Sequence, residues 1–151
     1  MKYKTELDID LPRDEVVRLV EDPDNIRYWQ EGFISMEHLE GEPGKKGAKS
    51  RLRYKMGRRE IEMVETIVEN DLPNALKATY EAKGVFNVIE NRFIAESPSR
   101  TRWEAENEFR FTGFMSLVGR LMPGAFRKQS QKYLDDFKRF AERRKDAPHG
   151  P

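Results

Sequence analysis

The 151-residue sequence contains no cysteine. That excludes disulfides, thiol catalysis and cysteine-ligated zinc or iron–sulfur centres. Histidine is nearly as scarce: only His38 and His149 occur, and His149 lies in a Pro/Gly tail. A multi-histidine metal site is therefore not expected, and neither metal nor cofactor is assigned. No apolar run reaches the roughly 18 residues that argue for a membrane span. The start, MKYKTELDID, has neither an apolar region nor a cleavage signal, so the expectation is a cytoplasmic protein without a membrane span. Excess charge is missing too, with 28 Lys+Arg against 27 Asp+Glu. General nucleic-acid binding needs a basic footprint, so no nucleic-acid partner is expected. Solenoid repeats, nucleophile elbows, phosphate loops and dinucleotide fingerprints are also absent.

What is present is pattern. The length suits one domain, expected over 1–145, with residues 146–151 (DAPHGP) as a frayed tail. Tyr3, Thr5, Leu7, Ile9 and Leu11 alternate with charged residues, which predicts a half-buried strand. Pro12 opens a short helix, and Asp22-Pro23 caps a second one that ends near Trp29. Strands are expected near 33–41, 48–56, 59–69, 75–82, 85–95 and 101–111. Helical spacing returns after Thr112. Phe126, Ser130, Tyr133, Leu134, Phe137, Phe140 and Ala141 form one stripe of a long helix reaching about Arg144. This order predicts an α+β fold with helices on one face of an antiparallel sheet.

Tight turns at Gly57-Arg58 and Lys83-Gly84, and a loop at 97–99, set the hairpin registers. Lys55 then faces Glu60, Arg53 faces Glu62, Lys77 faces Glu90 and Arg92 faces Glu104, all on the outer side. Tyr54/Ile61, Leu52/Met63, Tyr80/Asn87, Ala78/Ile89, Leu76/Asn91, Phe93/Trp103 and Ile89/Asn107 pair inward. Between Lys45 and Arg59 stand eight Lys/Arg and no acid. That could form an anion or membrane-surface patch. The acidic partners assigned to Arg53 and Lys55 favour an ordinary solvated face instead.

The inner face is apolar but carries Ser50, Tyr54, Glu65, Tyr80, Asn87, Asn91 and Asn107. Each unpaired amide in such a setting costs on the order of 1–3 kcal/mol, and a lone carboxylate far more. These groups meet one another, water or a ligand. Glu65 falls opposite Ser50. Burial would raise its pKa and suit it to general acid or base work; the plainer alternative is a solvated or hydrogen-bonded rim residue. His38 alternates with Ile34 and Met36, which leans inward, but it can also sit as a satisfied rim residue. Trp29 and Trp103 read mainly as packing residues.

The segment GFMSLVGRLMPGAF (113–126) is too short and broken for a bilayer span. Phe114, Leu117, Val118 and Leu121 keep helical spacing. Pro123 and Gly124 then predict a break near Met122, with the long helix starting around Gly124. The segment is either a cap on the core or a hinged lip at a cavity mouth.

Three runs carry a family resemblance: LPRDEVVRLVEDPDNIRYW after the first strand, LEGEPGKKGAKSRLRY with its glycine turns, and GFMSLVGRLMPGAFRKQSQKYLDDFKRFAE at the end. Over about residues 2–144 the chain resembles the START-like, or SRPBCC, superfamily, which includes polyketide cyclase/dehydrase, lipid-transport and birch-pollen-allergen types. The resemblance implies a helix-grip fold: a curved seven-stranded antiparallel sheet around a long C-terminal helix, with two short helices after the first strand. It implies a cavity for apolar molecules between sheet and helix, and carries over no catalytic residue.

The expected partner is thus a small hydrophobic ligand, bound by a carrier or sensor. The wall residues would be Tyr54, Met63, Glu65, Tyr80, Asn87, Ile89, Asn91, Trp103, Asn107, Phe109, Phe114 and Met122. One alternative is a cyclase, dehydratase or hydrolase using Glu65, or else His38, as acid/base, with Tyr54 or Tyr80 polarising a carbonyl. Another is a protein-interaction module with an exposed apolar patch.

Overall fold

A computed structural model describes residues 1–146. The expected tail lies outside them from residue 147 on; Asp146 itself closes the last helix. The order is β1 (Lys2–Ile9), α1 (Arg13–Glu21), a 3-10 turn (Pro23–Asn25), α2 (Ile26–Trp29), β2 (Phe33–Glu40), β3 (Lys49–Met56), β4 (Arg59–Asp71), β5 (Ala75–Ala82), β6 (Val85–Ser97), β7 (Arg100–Phe111), α3 (Phe114–Leu121) and α4 (Pro123–Asp146). The strands form one antiparallel sheet ordered β1-β7-β6-β5-β4-β3-β2. This is the α+β helix-grip arrangement, a curved sheet around a long C-terminal helix. β4 and β6 each run two residues past the expected ends. Bulges at Ile67/Glu69 and Ala95/Ser97 let them bend and keep pairing where the alternation breaks.

The backbone registers follow the turn chemistry. Gly57 has φ 64°, which a two-residue hairpin turn requires and glycine adopts freely. Lys55 lies opposite Glu60, Leu52 opposite Met63 and Ser50 opposite Glu65. Tyr80 lies opposite Asn87, and Phe93 opposite Trp103. Arg53 lies opposite Glu62, Lys77 opposite Glu90 and Arg92 opposite Glu104, as expected, but the ion pairs follow these registers only in part. Arg53 reaches Glu62 at 3.6 Å, but Glu62 also binds Arg51 at 2.8 Å. Arg92 takes Glu90 and Glu106, while Glu104 goes to Arg102 and Lys4. Lys55 and Lys77 have no carboxylate partner among the described residues. Register sets where strands sit; long exposed side chains then choose among neighbours for gains of only about 1 kcal/mol or less.

The sealed core lies where α1, α2 and the second half of α4 meet β1, β6 and β7. Ile9, Val16, Leu19, Phe137 and Ala141 are fully buried, with Phe93 and Trp103 nearly so. The Trp103 ring centroid lies 5.1 Å from both Phe93 and Phe137 and 5.9 Å from Trp29. Burying each such side chain stabilises by about 1.5–3 kcal/mol. Asp22 caps the 3-10 turn, its Oδ1 accepting from the Asp24 N–H at 2.9 Å.

Helix α4 also closes one sheet edge. Arg127, Gln131 and Lys138 donate to the carbonyls of Lys4, Glu6 and Asp8, and Glu142 accepts from the Asp10 N–H. Positions 127, 131, 138 and 142 share one helix face, and alternate carbonyls are what an edge strand leaves free. The opposite edge, β2, is exposed from Ile34 onward. His38 stands there opposite Ser50, on the inward side in register but exposed, its Nε2 2.7 Å from the Gly41 carbonyl oxygen. It is a satisfied rim histidine.

Candidate functional site

Helix α4 makes its close backbone contacts with β1 and α2. The inner side of β4, β5, β6 and the end of β7 is covered less tightly. Met63, Glu65, Tyr80, Ile89, Asn91 and Phe109 remain half-buried, although they point toward the helix side of the sheet. Toward the sealed core the same face is shut at Phe93, Trp103 and Ala105, while Ala78 packs with Ala48 and Ile67 in a second, smaller core and Leu52 and Tyr54 are buried farther along the sheet.

The polar groups of this face sort into three situations. Two asparagines are satisfied within the protein. Asn87 donates to the Glu108 carbonyl at 3.0 Å, and Asn91 Oδ1 accepts from the Trp103 indole N–H at 2.9 Å. Trp103 and Asn91 therefore act as a packing pair at the border of the core. A second group is linked but faces the less covered region. The Tyr80 hydroxyl donates to Glu65 Oε2 at 2.7 Å, and the Tyr54 hydroxyl donates to Gln30 Oε1 at 2.5 Å. Burial pushes the Glu65 carboxyl above its usual range, and the Tyr80 bond partly offsets this. Burial pushes both tyrosines up, with the Glu65 charge adding in the same direction. The third group is unpartnered. Asn107 Oδ1 and Thr5 Oγ1 are buried with no hydrogen-bond partner among the described residues. They sit on adjacent strands one diagonal apart, since Thr5 faces Ala105 and Tyr3 faces Asn107.

Aromatic rings line the wall beneath the α3–α4 joint. Phe109 stacks on Phe111 with centroids 5.7 Å apart, and Phe126 lies 5.1 Å from each. The Tyr3 hydroxyl donates to the Phe126 carbonyl at 3.0 Å and lies 2.6 Å from Ser130 Oγ, which fixes the start of α4 on β1. Gly119 lets α3 lie flat here, because a Cβ at that position would stand 2.6 Å from the Phe111 ring. The chain breaks at Met122 (φ −131°, ψ 53°), and Pro123 is the first residue of α4. Proline loses nothing there, since that N–H has no helical partner anyway.

Phe114 and Met122, expected at a cavity wall, are instead 73% and 56% exposed. The fit of Gly119 on Phe111 turns Met115 and Val118 toward the protein and the other apolar side chains outward. Three contributors escape a reading of the sequence as a site. Gln30 sits at the end of α2, where no pattern marks it. Alternation and helical spacing turn Thr5 and Tyr133 inward, but nothing in the pattern marks their hydroxyls as polar groups of the site. Burial raises the Tyr133 hydroxyl pKa, and Tyr133 in turn raises that of Tyr54.

Among the described residues no three His, Asp or Glu lie close enough to hold a metal ion. No helix is long and apolar enough to cross a membrane. A groove of about 570 Å³ near Arg13, Asn74, Lys77, Glu90 and Arg92 has charged walls and does not suit an apolar ligand.

Solved structures share this architecture. The Zhui aromatase/cyclase of Streptomyces sp. R1128 is similar with a TM-score of 0.82 and 16% identity, covering 100% of this chain and 99% of that one. A conserved protein from Geobacillus kaustophilus gives 0.77 and 14%, covering 95% and 96%. A protein from Thermus thermophilus gives 0.73 and 17%, covering 93% and 97%. At these identities the likeness shows the fold. No curated relative matches the chain. Residues 1–142 match the family described as polyketide cyclase / dehydrase and lipid transport, and the chain belongs to that family.

Proposed function

We propose that the protein binds a small, largely apolar molecule between the sheet and α4, as a carrier or sensor. The observation that carries this reading is the half-buried inner face of β4–β7, apolar at Met63, Ile89 and Phe109 and polar at a few fixed points. Such a wall holds an apolar body while a few polar groups orient it. Asn107 Oδ1, a buried acceptor with no partner among the described residues, suits a ligand hydroxyl or N–H. Phe109, Phe111 and Phe126 suit a flat ring. Native mass spectrometry of protein purified from its own host tests this. A retained small molecule is expected; an empty protein from which no apolar compound displaces a bound fluorescent dye removes the reading.

The Glu65–Tyr80 pair supports a second reading, acid/base chemistry on such a ligand. With Glu65 ionised, the Tyr80 proton is committed to it at 2.7 Å. With Glu65 protonated, as its raised pKa favours, the carboxyl can donate to Tyr80 and free the Tyr80 hydroxyl to polarise a ligand carbonyl. The aromatase/cyclase likeness is consistent with that chemistry. Glu65→Gln is expected to stop turnover while leaving folding and ligand retention intact. A fully active Glu65→Gln protein rules out this reading and leaves the first standing.

A further inference from the structure

Helix α3 carries four apolar side chains on the surface: Phe114 (73% exposed), Leu117 (49%), Leu121 (70%) and, at its end, Met122 (56%). They are not loosely held, because Gly119 seats the helix on Phe111 and Met115 and Val118 take the inward side. Along the chain from Phe109 to Leu134 there is no Asp or Glu, while Arg110, Arg120, Arg127, Lys128 and Lys132 occur. Of these, Arg110 is held by Glu108 and Lys132 by Glu31 and Asp136, which leaves Arg120, Arg127 and Lys128 without a carboxylate among the described residues.

The sheet adds to the same end. The β5–β6 turn touches the start of α3, with the Thr112 N–H donating to the Gly84 carbonyl at 3.0 Å. Lys83 is exposed there. The β3–β4 hairpin projects beyond that turn, since Val64 already pairs with Glu81. Its tip bears Lys55, Met56, Arg58 and Arg59 with one acid, Glu60, all exposed. Lys55, Arg58, Arg59, Lys83, Arg120 and Lys128 have no carboxylate partner among the described residues, whereas Arg100 and Arg102 elsewhere are held by Asp8, Asp10, Glu6 and Glu104.

From this combination we infer that the α3 end docks on the surface of an anionic lipid bilayer. An outward apolar helix face flanked by free cations is how a protein lies in a membrane interface. The apolar groups enter the headgroup boundary, and each cation adds attraction to an anionic leaflet. A bilayer accepts these side chains without a matching pocket, which an acidic protein partner would have to supply. Docking is measured without any apolar cargo, so its failure and the failure of the ligand reading are separable.

The test is co-sedimentation of the protein with vesicles of equal parts phosphatidylglycerol and phosphatidylcholine, against phosphatidylcholine alone. The expected result is binding to the anionic vesicles that weakens with salt. Arg58→Ala and Arg59→Ala should each lower partitioning about fivefold. The pair Phe114→Ser with Leu121→Ser should lower it about tenfold or more. A Phe114→Trp protein should shift its emission to the blue on the same vesicles. Wild-type protein that stays in solution overturns the inference, whether or not it retains an acidic protein. So does binding that the serine pair and the arginine variants leave unchanged. All these positions are exposed, and the two arginines lie outside the helix, so a disturbed α3 does not decide the outcome.

Discussion

Phe137 and Phe114 both lie on the C-terminal helical segment, and their surroundings are opposite. Phe137 is fully buried among Trp29, Trp103 and Phe140. Phe114 is 73% exposed on α3. The same contrast separates two ends of the inner face. At one end α1, α2 and α4 shut down on Phe93 and Trp103, and Asn91 uses its acceptor on the Trp103 indole. At the other, Met63, Glu65, Tyr80 and Phe109 stay half-buried and Asn107 keeps a free acceptor. The fully buried large apolar side chains gather in the first region, where the one unpartnered polar atom among the described residues is a donor, the Trp29 indole N–H. The second region leaves acceptors without a partner, Asn107 Oδ1 and Thr5 Oγ1.

The strongest test of this division is Phe137→Ala beside Phe114→Ala. The first is expected to cost about 3–5 kcal/mol and the second less than about 0.5 kcal/mol, read from urea unfolding. Comparable losses would abolish the contrast. Next come two asparagines. Asn91→Leu strands the Trp103 N–H in a dry setting and should cost about 1–3 kcal/mol. Asn107→Leu deletes an acceptor that has no partner and should cost little or nothing, while shifting retained ligands toward less polar ones.

Glu65 gives a smaller, pH-dependent effect because it is only half-buried. Its folded-state pKa is raised above the usual 4.5 by burial. The folded protein therefore binds the Glu65 proton more tightly than the unfolded chain. Its stabilising contribution is complete below 4.5 and is lost as pH rises from there through the folded-state pKa. Thermal unfolding across pH should show this decline in the wild type and not in Glu65→Gln. Smallest in stability is the joint. Pro123→Ala with Gly124→Ala should change stability by less than about 1 kcal/mol, yet slow ligand exchange if the Met122 break opens the site. An unchanged exchange rate would show that α3 is a fixed cap.

Much of the architecture was legible residue by residue. Gly57-Arg58 and Lys83-Gly84 demanded tight turns, and a two-residue side-chain period then set Glu65 opposite Ser50 and Asn107 opposite Ile89. Pro123 announced the helix break. The site was less legible. Nothing in the chain places Gln30 beside Tyr54, 24 positions away, or directs the Trp103 N–H to Asn91 rather than to a ligand. Nor did register foretell that Arg92 would leave Glu104 for Glu90 and Glu106.

The sequence by itself determined the order of elements, the facing of every strand in the three hairpins and the break at Met122. Turn geometry and side-chain alternation act over a few residues and need no distant partner. Tertiary structure alone decided which inward polar groups were satisfied and which way α3 turned. Those outcomes depend on contacts such as Gly119 on Phe111, where the absence of one Cβ sets the roll of a helix and sends Phe114 outward.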